Sequence, residues 1–462
     1  MTAGVALALA TLTLVYSQTR AFSWDEGYHL LAAQLVKSGK RLYLDFCFPQ
    51  SPLNTWWNAL WMRLLGDTWH VVHAVAAVLS CGAAWLAAGF VRSFFPRARL
   101  AVLLTIGLNV LIFQWASVGQ AYAIGLILLV SAFRLTVASV DRESPGLSAL
   151  AGLAAGAAAM STLLTAPAGL VLLIWAFVYN RAGSRLTKAV ALIAGECAAF
   201  LPLLWVLLQD PRRVFFNIIQ YQLQYRQVEW EGAIGHDVTI WIAWLDSSHG
   251  LILALLAITG LLFVLFRSDW PRERRAGFYL CAWLAAVLMV HISQAHPTFR
   301  QYYLFAVPFL AILAAAGLFA LSPAHPNRAL AVLALLLTAG LAKSISEESG
   351  YTWAKMEPVA RKVVQVTPPG APLLADENVY FLTRHIPPSG MELLDSHKFR
   401  FPPAQSAWLH LVPEAEVLRR ITAGDFATVE SCAEYQSFDD AAAPRYRQKA
   451  AYGDCTVYWD KK

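Results

Sequence analysis

Long apolar segments alternate with short polar joints along the chain up to about residue 345. A helix that crosses a membrane needs roughly 20 apolar residues, and hydropathy marks about eleven segments near that length. The pattern therefore predicts an α-helical polytopic membrane protein. The predicted spans are 2–19, 71–91, 100–117, 121–139, 147–165, 167–179, 189–208, 250–266, 277–293, 302–321 and 329–345.

The basic residues of the short joints predict how these segments thread the membrane. Cytoplasmic joints are enriched in Lys and Arg, and every second joint carries them, whereas the joints near 118–120 and 166 carry none. This threading places the N-terminus in the cytoplasm of a bacterial inner (plasma) membrane, and residues 20–70, 209–249, 294–301 and the tail outside. The first segment has no basic n-region, so we interpret it as a retained helix rather than a signal peptide. The basic residues are Arg92, Arg97, Arg99, Arg134, Arg142, Arg181, Arg185, Lys188, Arg267, Arg272, Arg274, Arg275 and Arg328.

The outer segments have recognisable patterns of their own. The first outer loop, 20–70, has helical periodicity over 25–38 and 53–65, which predicts two helices lying along the membrane surface. In the tail, Phe426–Ser431 is typical of a strand, and the segment after it predicts a hairpin that turns at Gly453 and Asp454. We therefore divide the chain into a transmembrane domain, 1–345, which includes the long outer loops 20–70 and 209–249, and a small extracytoplasmic α/β domain, 346–462.

Composition and charge agree with a membrane protein. The 462 residues are 58% hydrophobic and only 14% charged, with a mean hydropathy of +0.49, whereas an average soluble domain is about 25% charged. The net charge of +6 does not indicate nucleic acid as a partner, because the cations lie in short joints between apolar segments rather than on one soluble face.

The cysteines give one expectation. The six cysteines form no CxxC pair and no zinc spacing. Cys432 and Cys455 both lie in the tail, in a compartment where disulfides form in many bacteria, so we expect a bridge between them.

Two adjacent carboxylates, Asp25 and Glu26, follow the first predicted helix at the outer mouth of the apolar domain; we call them the acidic pair. Transfer of a sugar from a lipid phosphate to a hydroxyl needs a base for the acceptor's proton and positive charge for the departing phosphate. A carboxylate beside apolar walls is a better base because its pKa is raised. The same residues also fit a capping box, with Ser23 at the N-cap and Glu26 three residues later. The two interpretations are compatible.

The residues after the acidic pair follow an ordered pattern, which ends in a Pro-Leu and a Gly. This order resembles the first outer loop of the GT-C superfamily, in the branch of protein O-mannosyltransferases and lipid A aminoarabinose transferases (glycosyltransferase family 39-like). The later stretch His296–Leu304 is similar to the family's Arg-Tyr stretch that opens a late helix. The residues of the first pattern are Asp25, Glu26, Tyr28, Ala32, Gly39, Tyr43, Asp45, Pro52, Leu53 and Gly66.

The resemblance implies a GT-C-like fold, a polyprenyl-phosphate-linked sugar as donor and an inverting transfer at the outer face. It also implies an acceptor that is a lipid, a glycan or a protein. No cofactor is certain, and a divalent metal is possible. By position, Asp25 is the base or orients the acceptor, with Glu26 as its companion. The expected donor-phosphate residues are Arg300, Arg226 and Tyr302, and the expected supporting residues are Tyr28, His29, Asp45, Gln50 and His296.

Two expectations follow about how these residues work together. The chemistry requires Asp25 and Arg300 to converge on one outer-face cavity, with about 8–15 Å between their side chains. Where the aminoarabinose branch has a Glu-Lys pair before the Pro-Leu, this chain has Pro49-Gln50-Ser51. Neutralisation of the phosphate then falls to Arg300 with Arg226, Arg212 or Arg213, and aminoarabinose transfer to lipid A is less favoured than another acceptor.

Other polar residues have structural alternatives. Asp25 and His29 share a helix face, which suits a metal ligand pair but is more typical of a structural hydrogen bond. Glu196 lies in the middle of a predicted span, where either function or helix packing explains it. Asp376 and Glu377 resemble the acidic pair but are better explained by the start of a helix.

Two rival functions remain open. If the protein is a flippase or transporter for lipid-linked sugars, charged residues should line a path through the membrane, and Glu196 is the one candidate for such a residue. A non-catalytic membrane protein that binds partners through its tail leaves the acidic pair and Arg300 unexplained.

Overall fold

The computed structural model is mostly helical and describes residues 2–95, 97–180, 184–226, 234–246, 248–348, 350–393, 401–432 and 436–462. Its first helices are α1 (Thr2–Thr19), α2 (Glu26–Lys37), α3 (Leu53–Leu65), α4 (Trp69–Phe90), α5 (Ala98–Gly107), α6 (Val110–Trp115), α7 (Tyr122–Asp141), α8 (Pro145–Ser161), α9 (Pro167–Tyr179), α10 (Arg185–Ala199), α11 (Leu201–Leu207) and α12 (Pro211–Phe215). A π-helical segment, Phe216–Tyr225, follows α12.

The second half of the chain adds further helices and all of the described strands. The helices are α13 (Ile234–Asp246), α14 (Ser248–Phe266), α15 (Arg272–Ser293), α16 (Val307–Leu321), α17 (Pro326–Ser346), α18 (Trp353–Val366), α19 (Glu377–Thr383), α20 (Pro403–Trp408), α21 (Glu414–Ala423) and α22 (Gln436–Ala442). A 3-10 segment, Arg300–Phe305, precedes α16. The strands are β1 (Leu373–Leu374), β2 (Thr428–Cys432), β3 (Tyr446–Tyr452) and β4 (Cys455–Lys461).

The chain forms two compact units, each built from separate stretches of sequence. Unit 1 contains Met1–Gln18, His73–Trp205 and Arg226–Ser349. Unit 2 contains Thr19–Val72, Val206–Tyr225 and Gly350–Lys462.

The eleven predicted spans all coincide with helices, but not all of these helices are long. Among the described residues, six helices are long and apolar enough to cross a membrane, and α10 with α11, bent by 47°, makes up to seven. Four further apolar helices are shorter, α5, α8, α16 and the stretch Leu163–Tyr179. The prediction of a polytopic helical fold is therefore supported, whereas the count of about eleven spans is not confirmed.

Small residues bring the helices of unit 1 into close contact. A Cβ added at Gly152 of α8 would lie 1.8 Å from the Leu192 carbonyl oxygen of α10, and one at Gly260 of α14 would lie 1.9 Å from the Leu313 oxygen of α16. Such contacts are typical of helix pairs in membranes, where small residues let backbones approach. Glu196 lies at one of these contacts, since a Cβ at Gly169 would meet its Oε1 at 2.2 Å. This placement fits the packing interpretation of Glu196.

Polar contacts at one set of helix ends in unit 1 join segments that the threading predicts to be outside. Glu348, just after α17, accepts hydrogen bonds from the Tyr16 hydroxyl at 2.5 Å and from Gln114 Nε2 at 2.8 Å. His73 Nδ1, near the start of α4, donates to the Ser17 carbonyl at 2.6 Å. The ends of α1, α6 and α17 and the beginning of α4 therefore share one face of the bundle.

The opposite ends carry the basic joints. Arg274 Nη2 donates to the carbonyl oxygens of Ser93 and Phe94 at 3.3 and 3.2 Å, and the Arg272 guanidinium lies 5.1 Å from the centre of the Tyr179 ring. Joints that the sequence assigns to the cytoplasm thus meet one another. These contacts agree with the predicted threading, although which face is cytoplasmic stays a prediction. Arg181 lies outside the described residues.

Unit 2 is built around a four-stranded sheet in the order β1-β2-β4-β3. β1 pairs with β2 in parallel, whereas β4 is antiparallel to both β2 and β3. The predicted strand coincides with β2, and the predicted hairpin is β3 and β4, which turn at Gly453 and Asp454. Buried residues of α18 and α21 cover the sheet, including Val363 and Val417. The α/β character of the tail is confirmed.

The predicted disulfide between Cys432 and Cys455 is present. The two residues face each other across β2 and β4, with Cα atoms 3.9 Å apart. In the chain-entropy model a bridge over a loop of this size stabilises a fold by roughly 3 kcal/mol.

Candidate active site

The two carboxylates of the acidic pair have different surroundings, although they are adjacent in sequence. Asp25 is the N-cap residue of α2 and is exposed, and its side chain makes no capping hydrogen bond. Glu26 is the first residue of α2 and is fully buried, and its carboxylate accepts a hydrogen bond from Trp353 Nε1 at 3.2 Å. The N-cap residue of α2 is therefore Asp25 and not Ser23, the residue that the capping box placed there. Within unit 2, Asp25 can meet solvent and Glu26 cannot.

The start of α2 is held against the tail by a close backbone contact. A Cβ at Gly27 would lie 2.6 Å from the Asn378 side chain and 2.8 Å from its backbone nitrogen, so this position requires glycine. Asn378 is itself fixed by Asp376, whose Oδ1 accepts from its backbone nitrogen at 2.8 Å and from Nδ2 at 2.7 Å. Asp376 is the N-cap of α19. The interpretation of Asp376 and Glu377 as the start of a helix is confirmed.

His29 is buried beneath the acidic pair. Its ring stacks on Tyr28, with centres 4.3 Å apart, and packs edge-on against Phe48 at 5.7 Å. Asn54 Nδ2 lies 3.5 Å from His29 Nδ1. Burial lowers the pKa of His29 to about 3, because desolvation disfavours the charged ring. These contacts match the structural interpretation of His29, with Asn54 rather than Asp25 as the residue beside the ring nitrogen.

The loop after α2 is fixed by its own side chains. Arg41 pairs with Asp45 at 2.7 Å, and this hydrogen bond lowers the pKa of the Asp45 carboxyl. Tyr43, at a φ of 68°, donates its hydroxyl proton to the Gln50 carbonyl at 2.6 Å. Asp45 is thus held by a cation, and Gln50 is held through its backbone while its side chain stays half-buried.

The segment around the π-helix holds the same loop from another part of unit 2. Asn217 Oδ1 accepts from the Phe48 backbone nitrogen at 2.8 Å. Arg213 donates to the Leu44 carbonyl at 2.7 Å and pairs with Asp210 at 3.2 Å. Arg213 therefore has structural contacts, whereas its neighbour Arg212 is exposed.

In unit 1 the structure brings together two of the three residues that we expected at the donor phosphate. Arg226 donates to the Tyr302 hydroxyl and, at 3.2 Å, to the Pro297 carbonyl. Its guanidinium carbon lies 5.7 Å from the centre of the Phe299 ring and 5.6 Å from that of Tyr302. Arg300, the first residue of the 3-10 segment, is exposed and makes no side-chain hydrogen bond or ion pair with the described residues. We call Arg226, Phe299, Arg300 and Tyr302 the arginine cluster.

Sequence reasoning expected His296 as a supporting residue but missed Asp237 and His236, which hold the same turn. Asp237 is buried and binds both His296, at 2.6 Å to Nδ1, and the Thr298 backbone nitrogen, at 2.9 Å. His236 Nε2 donates to the Thr298 carbonyl at 3.0 Å. His296 thus has a structural partner of opposite charge when it is protonated. The signal that could have found this site is the His236-Asp237 pair in a long outer loop, opposite a second histidine in the next outer joint.

One group of described residues has the ligand types and spacing for a metal ion. Glu430, Cys432 and Cys455 lie within 4.8 Å of one another, but both sulfur atoms belong to the disulfide. Asp25 and His29 belong to no such group of three among the described residues.

Solved structures of other proteins share the architecture of this chain. ArnT from Cupriavidus metallidurans in the apo state is 16% identical, with a TM-score of 0.70 over 99% of this chain and 96% of that one. The same protein bound to undecaprenyl phosphate is 17% identical, with a TM-score of 0.68 over 99% and 97%. The chain therefore shares the fold of ArnT. This confirms the fold that the first outer loop predicted.

A further solved structure shares this fold in part. The Archaeoglobus fulgidus oligosaccharyltransferase, in complex with Zn and sulfate, is 13% identical, with a TM-score of 0.50 over 93% of this chain and 68% of that one. No protein-family model matches the chain. No curated protein matches it either. The shared fold is thus recognisable from the structure. At this level of sequence identity, the residues alone show only a resemblance.

Proposed function

We propose that this protein is a glycosyltransferase that moves a sugar from a polyprenyl-phosphate donor to an acceptor hydroxyl. The observation that carries the proposal is the GT-C fold shared along nearly the whole chain with ArnT, a protein whose structure holds undecaprenyl phosphate. The arginine cluster supports it, because guanidinium groups and a tyrosine hydroxyl are strong donors to phosphate oxygens.

In the proposed reaction the arginine cluster binds the donor phosphate. Arg226 is held by Tyr302 and by the Pro297 carbonyl, so it is oriented before the donor arrives. Arg300 adds a second, exposed cation. As the bond between the anomeric carbon and the phosphate oxygen breaks, the electron pair stays on the phosphate, and both arginines stabilise that charge.

Asp25 is the proposed base. It accepts the proton of the acceptor hydroxyl as that oxygen forms its bond to the anomeric carbon. A single displacement of this kind inverts the anomeric configuration, and the products are the glycosylated acceptor and free polyprenyl phosphate. Glu26 is buried on Trp353, so its proposed role is to hold the start of α2, not to exchange protons with substrate.

The proposed location is the bacterial inner membrane, with the reaction at its outer face. Support comes from the disulfide in the tail, since such bridges persist in oxidising compartments. The segments 20–70, 209–225 and 350–462 lie together in unit 2, and segments that pack on one another must share one side of the membrane. A reporter active only in the cytoplasm, fused after Lys462, should give no signal, and strong activity there would overturn this orientation.

The sugar and acceptor are tested by direct assay. Purified protein in lipid vesicles is incubated with a panel of labelled polyprenyl-phosphate sugars and envelope lipids, glycans or peptides. We expect one donor to be consumed and its label to appear in one acceptor class. We expect lipid A with aminoarabinose to be a poor pair, because Pro49-Gln50-Ser51 replaces the Glu-Lys of that branch. If no donor is consumed, and labelled lipid instead crosses the vesicle membrane, the flippase interpretation replaces this one.

A further inference from the structure

The turn His296–Phe299, which leads directly into Arg300, is fixed by one buried carboxylate. Asp237 Oδ2 accepts from His296 Nδ1 at 2.6 Å, and Oδ1 accepts from the Thr298 backbone nitrogen at 2.9 Å. Each carboxylate oxygen therefore has its own donor in the turn. Hydrogen bonds to a charged acceptor are roughly twice as strong as those between neutral groups.

Two further polar groups of the turn, both of Thr298, are also held. His236 Nε2 donates to the Thr298 carbonyl at 3.0 Å, and the Thr298 hydroxyl donates to the Ile292 carbonyl at 3.0 Å. Thr298 is fully buried. The backbone of the turn is thus bound through both its donor and its acceptor at this residue.

The opposite side of the same turn carries the arginine cluster. The Pro297 carbonyl accepts from Arg226 Nη2 at 3.2 Å, and the ring of Phe299 lies beside the Arg226 guanidinium. The Tyr302 hydroxyl, two residues after Arg300, accepts a second hydrogen bond from Arg226. A shift of the turn would therefore move the carbonyl, the ring and both phosphate-binding cations together.

We propose that Asp237 is a positioning residue for the donor-phosphate subsite. It acts through the turn His296–Phe299 and fixes the arginine cluster in its binding geometry before the donor arrives. A pre-organised site loses less free energy to ordering when it binds. The inference rests on the proposed function, because it assumes that the arginine cluster binds the phosphate.

The test measures the affinity of the full-length protein for undecaprenyl phosphate without a sugar, in detergent. Asp237→Ala should weaken binding about tenfold, and Asp237→Asn, which keeps an acceptor for Thr298, should weaken it less. Arg226→Ala should also weaken binding, but adding Asp237→Ala to it should have little further effect, because the two act through one element. Asp269→Ala is the matched control, since Asp269 is an exposed carboxylate of the same unit paired with Arg267 at 2.9 Å.

The outcomes distinguish a failure of the proposed phosphate site from a failure of the positioning role of Asp237. If Arg226→Ala binds the lipid as tightly as wild type, the proposed phosphate site is wrong. If Arg226→Ala weakens binding but Asp237→Ala does not, or if the two losses add in full, Asp237 has no positioning role. Should Asp237→Ala fail to fold, His296→Gln takes its place, because it removes the other partner of the 2.6 Å contact. Its loss of affinity must then be non-additive with that of Arg226→Ala. Full additivity of these two losses overturns the proposal.

Discussion

The acidic pair and the arginine cluster are two charged regions built in opposite ways. Asp25 and Glu26 are adjacent in sequence, yet one is exposed and the other is buried against Trp353. Arg226 and Tyr302 are far apart in sequence, yet they share a hydrogen bond. Tertiary structure thus gives two neighbouring residues different surroundings, and it brings two distant residues into contact. The variants below test that contrast, from the largest expected effect to the smallest.

Asp25→Asn should have the largest effect. Loss of an essential base typically costs 10²- to 10⁴-fold in rate, and the variant keeps the size and the exposure of the side chain. Transfer rates should therefore fall by about that factor, while the affinity for the donor lipid stays near that of wild type. Asp454→Asn is the matched control, because Asp454 is an exposed carboxylate of the same unit, at the turn between β3 and β4. Equal losses in the two variants would show that Asp25 has no special role.

Arg300→Ala and Arg226→Ala should weaken donor binding. A hydrogen bond to a charged group contributes about 1.5–3 kcal/mol, which corresponds to roughly 10- to 100-fold in affinity. Arg328→Ala, an exposed arginine at the start of α17, should leave affinity unchanged. Calorimetric titration with undecaprenyl phosphate measures all three. A reduced rate with unchanged donor affinity would place the arginines outside the phosphate site.

Glu26→Ala should lower the stability of the fold more than Asp25→Asn, the variant of its exposed neighbour, does. It removes the acceptor of the Trp353 indole N–H, and a buried donor left without a partner costs about 1–3 kcal/mol. Glu26→Gln retains an acceptor oxygen and should lose less. Thermal unfolding in detergent compares both with Asp25→Asn, which we expect to be neutral. If Glu26→Gln instead abolishes transfer without loss of stability, Glu26 rather than Asp25 is the base.

The pKa of His29 gives an effect that is small near neutral pH and grows as the pH falls, a change of stability with pH. The folded pKa of about 3 lies below the usual 6.5, so the unfolded chain binds more protons between these values. Stability from this group is complete above about pH 6.5 and is lost progressively as the pH falls towards 3. His29→Gln should flatten the decline of the unfolding temperature over this range, whereas His325→Gln, at an exposed histidine, should not. An unchanged slope in His29→Gln would mean that His29 is charged in the folded protein.

The sequence predicted the helical fold and the tail well, because both have local periodic signals. The limits of α2 and α3 agree closely with the expected 25–38 and 53–65, and the hairpin turns at its expected glycine. Span lengths were harder, since α16 is short but buried on nearly all sides by other helices.

The candidate site was predictable only in part. The acidic pair is a local motif and could be found, but the different burial of its two members depends on Trp353, which lies far along the chain. The role of Asp237 was missed although the His236-Asp237 pair was a signal for it, because the contacts of Asp237 depend on a turn formed by residues of another loop. The resemblance supplied Arg300 by position, whereas only the structure shows that Arg226 contacts Tyr302.

The most direct test of the central claim is a measurement of stoichiometry. Wild type and Asp25→Asn are incubated in vesicles with the donor identified in the panel, double-labelled in its sugar and its polyprenyl chain, together with the matching acceptor. We predict that wild type releases one polyprenyl phosphate for each sugar that appears on the acceptor, with inverted anomeric configuration, and that Asp25→Asn binds the donor but releases neither product. Full activity in Asp25→Asn, or sugar transfer without release of polyprenyl phosphate, would contradict the account.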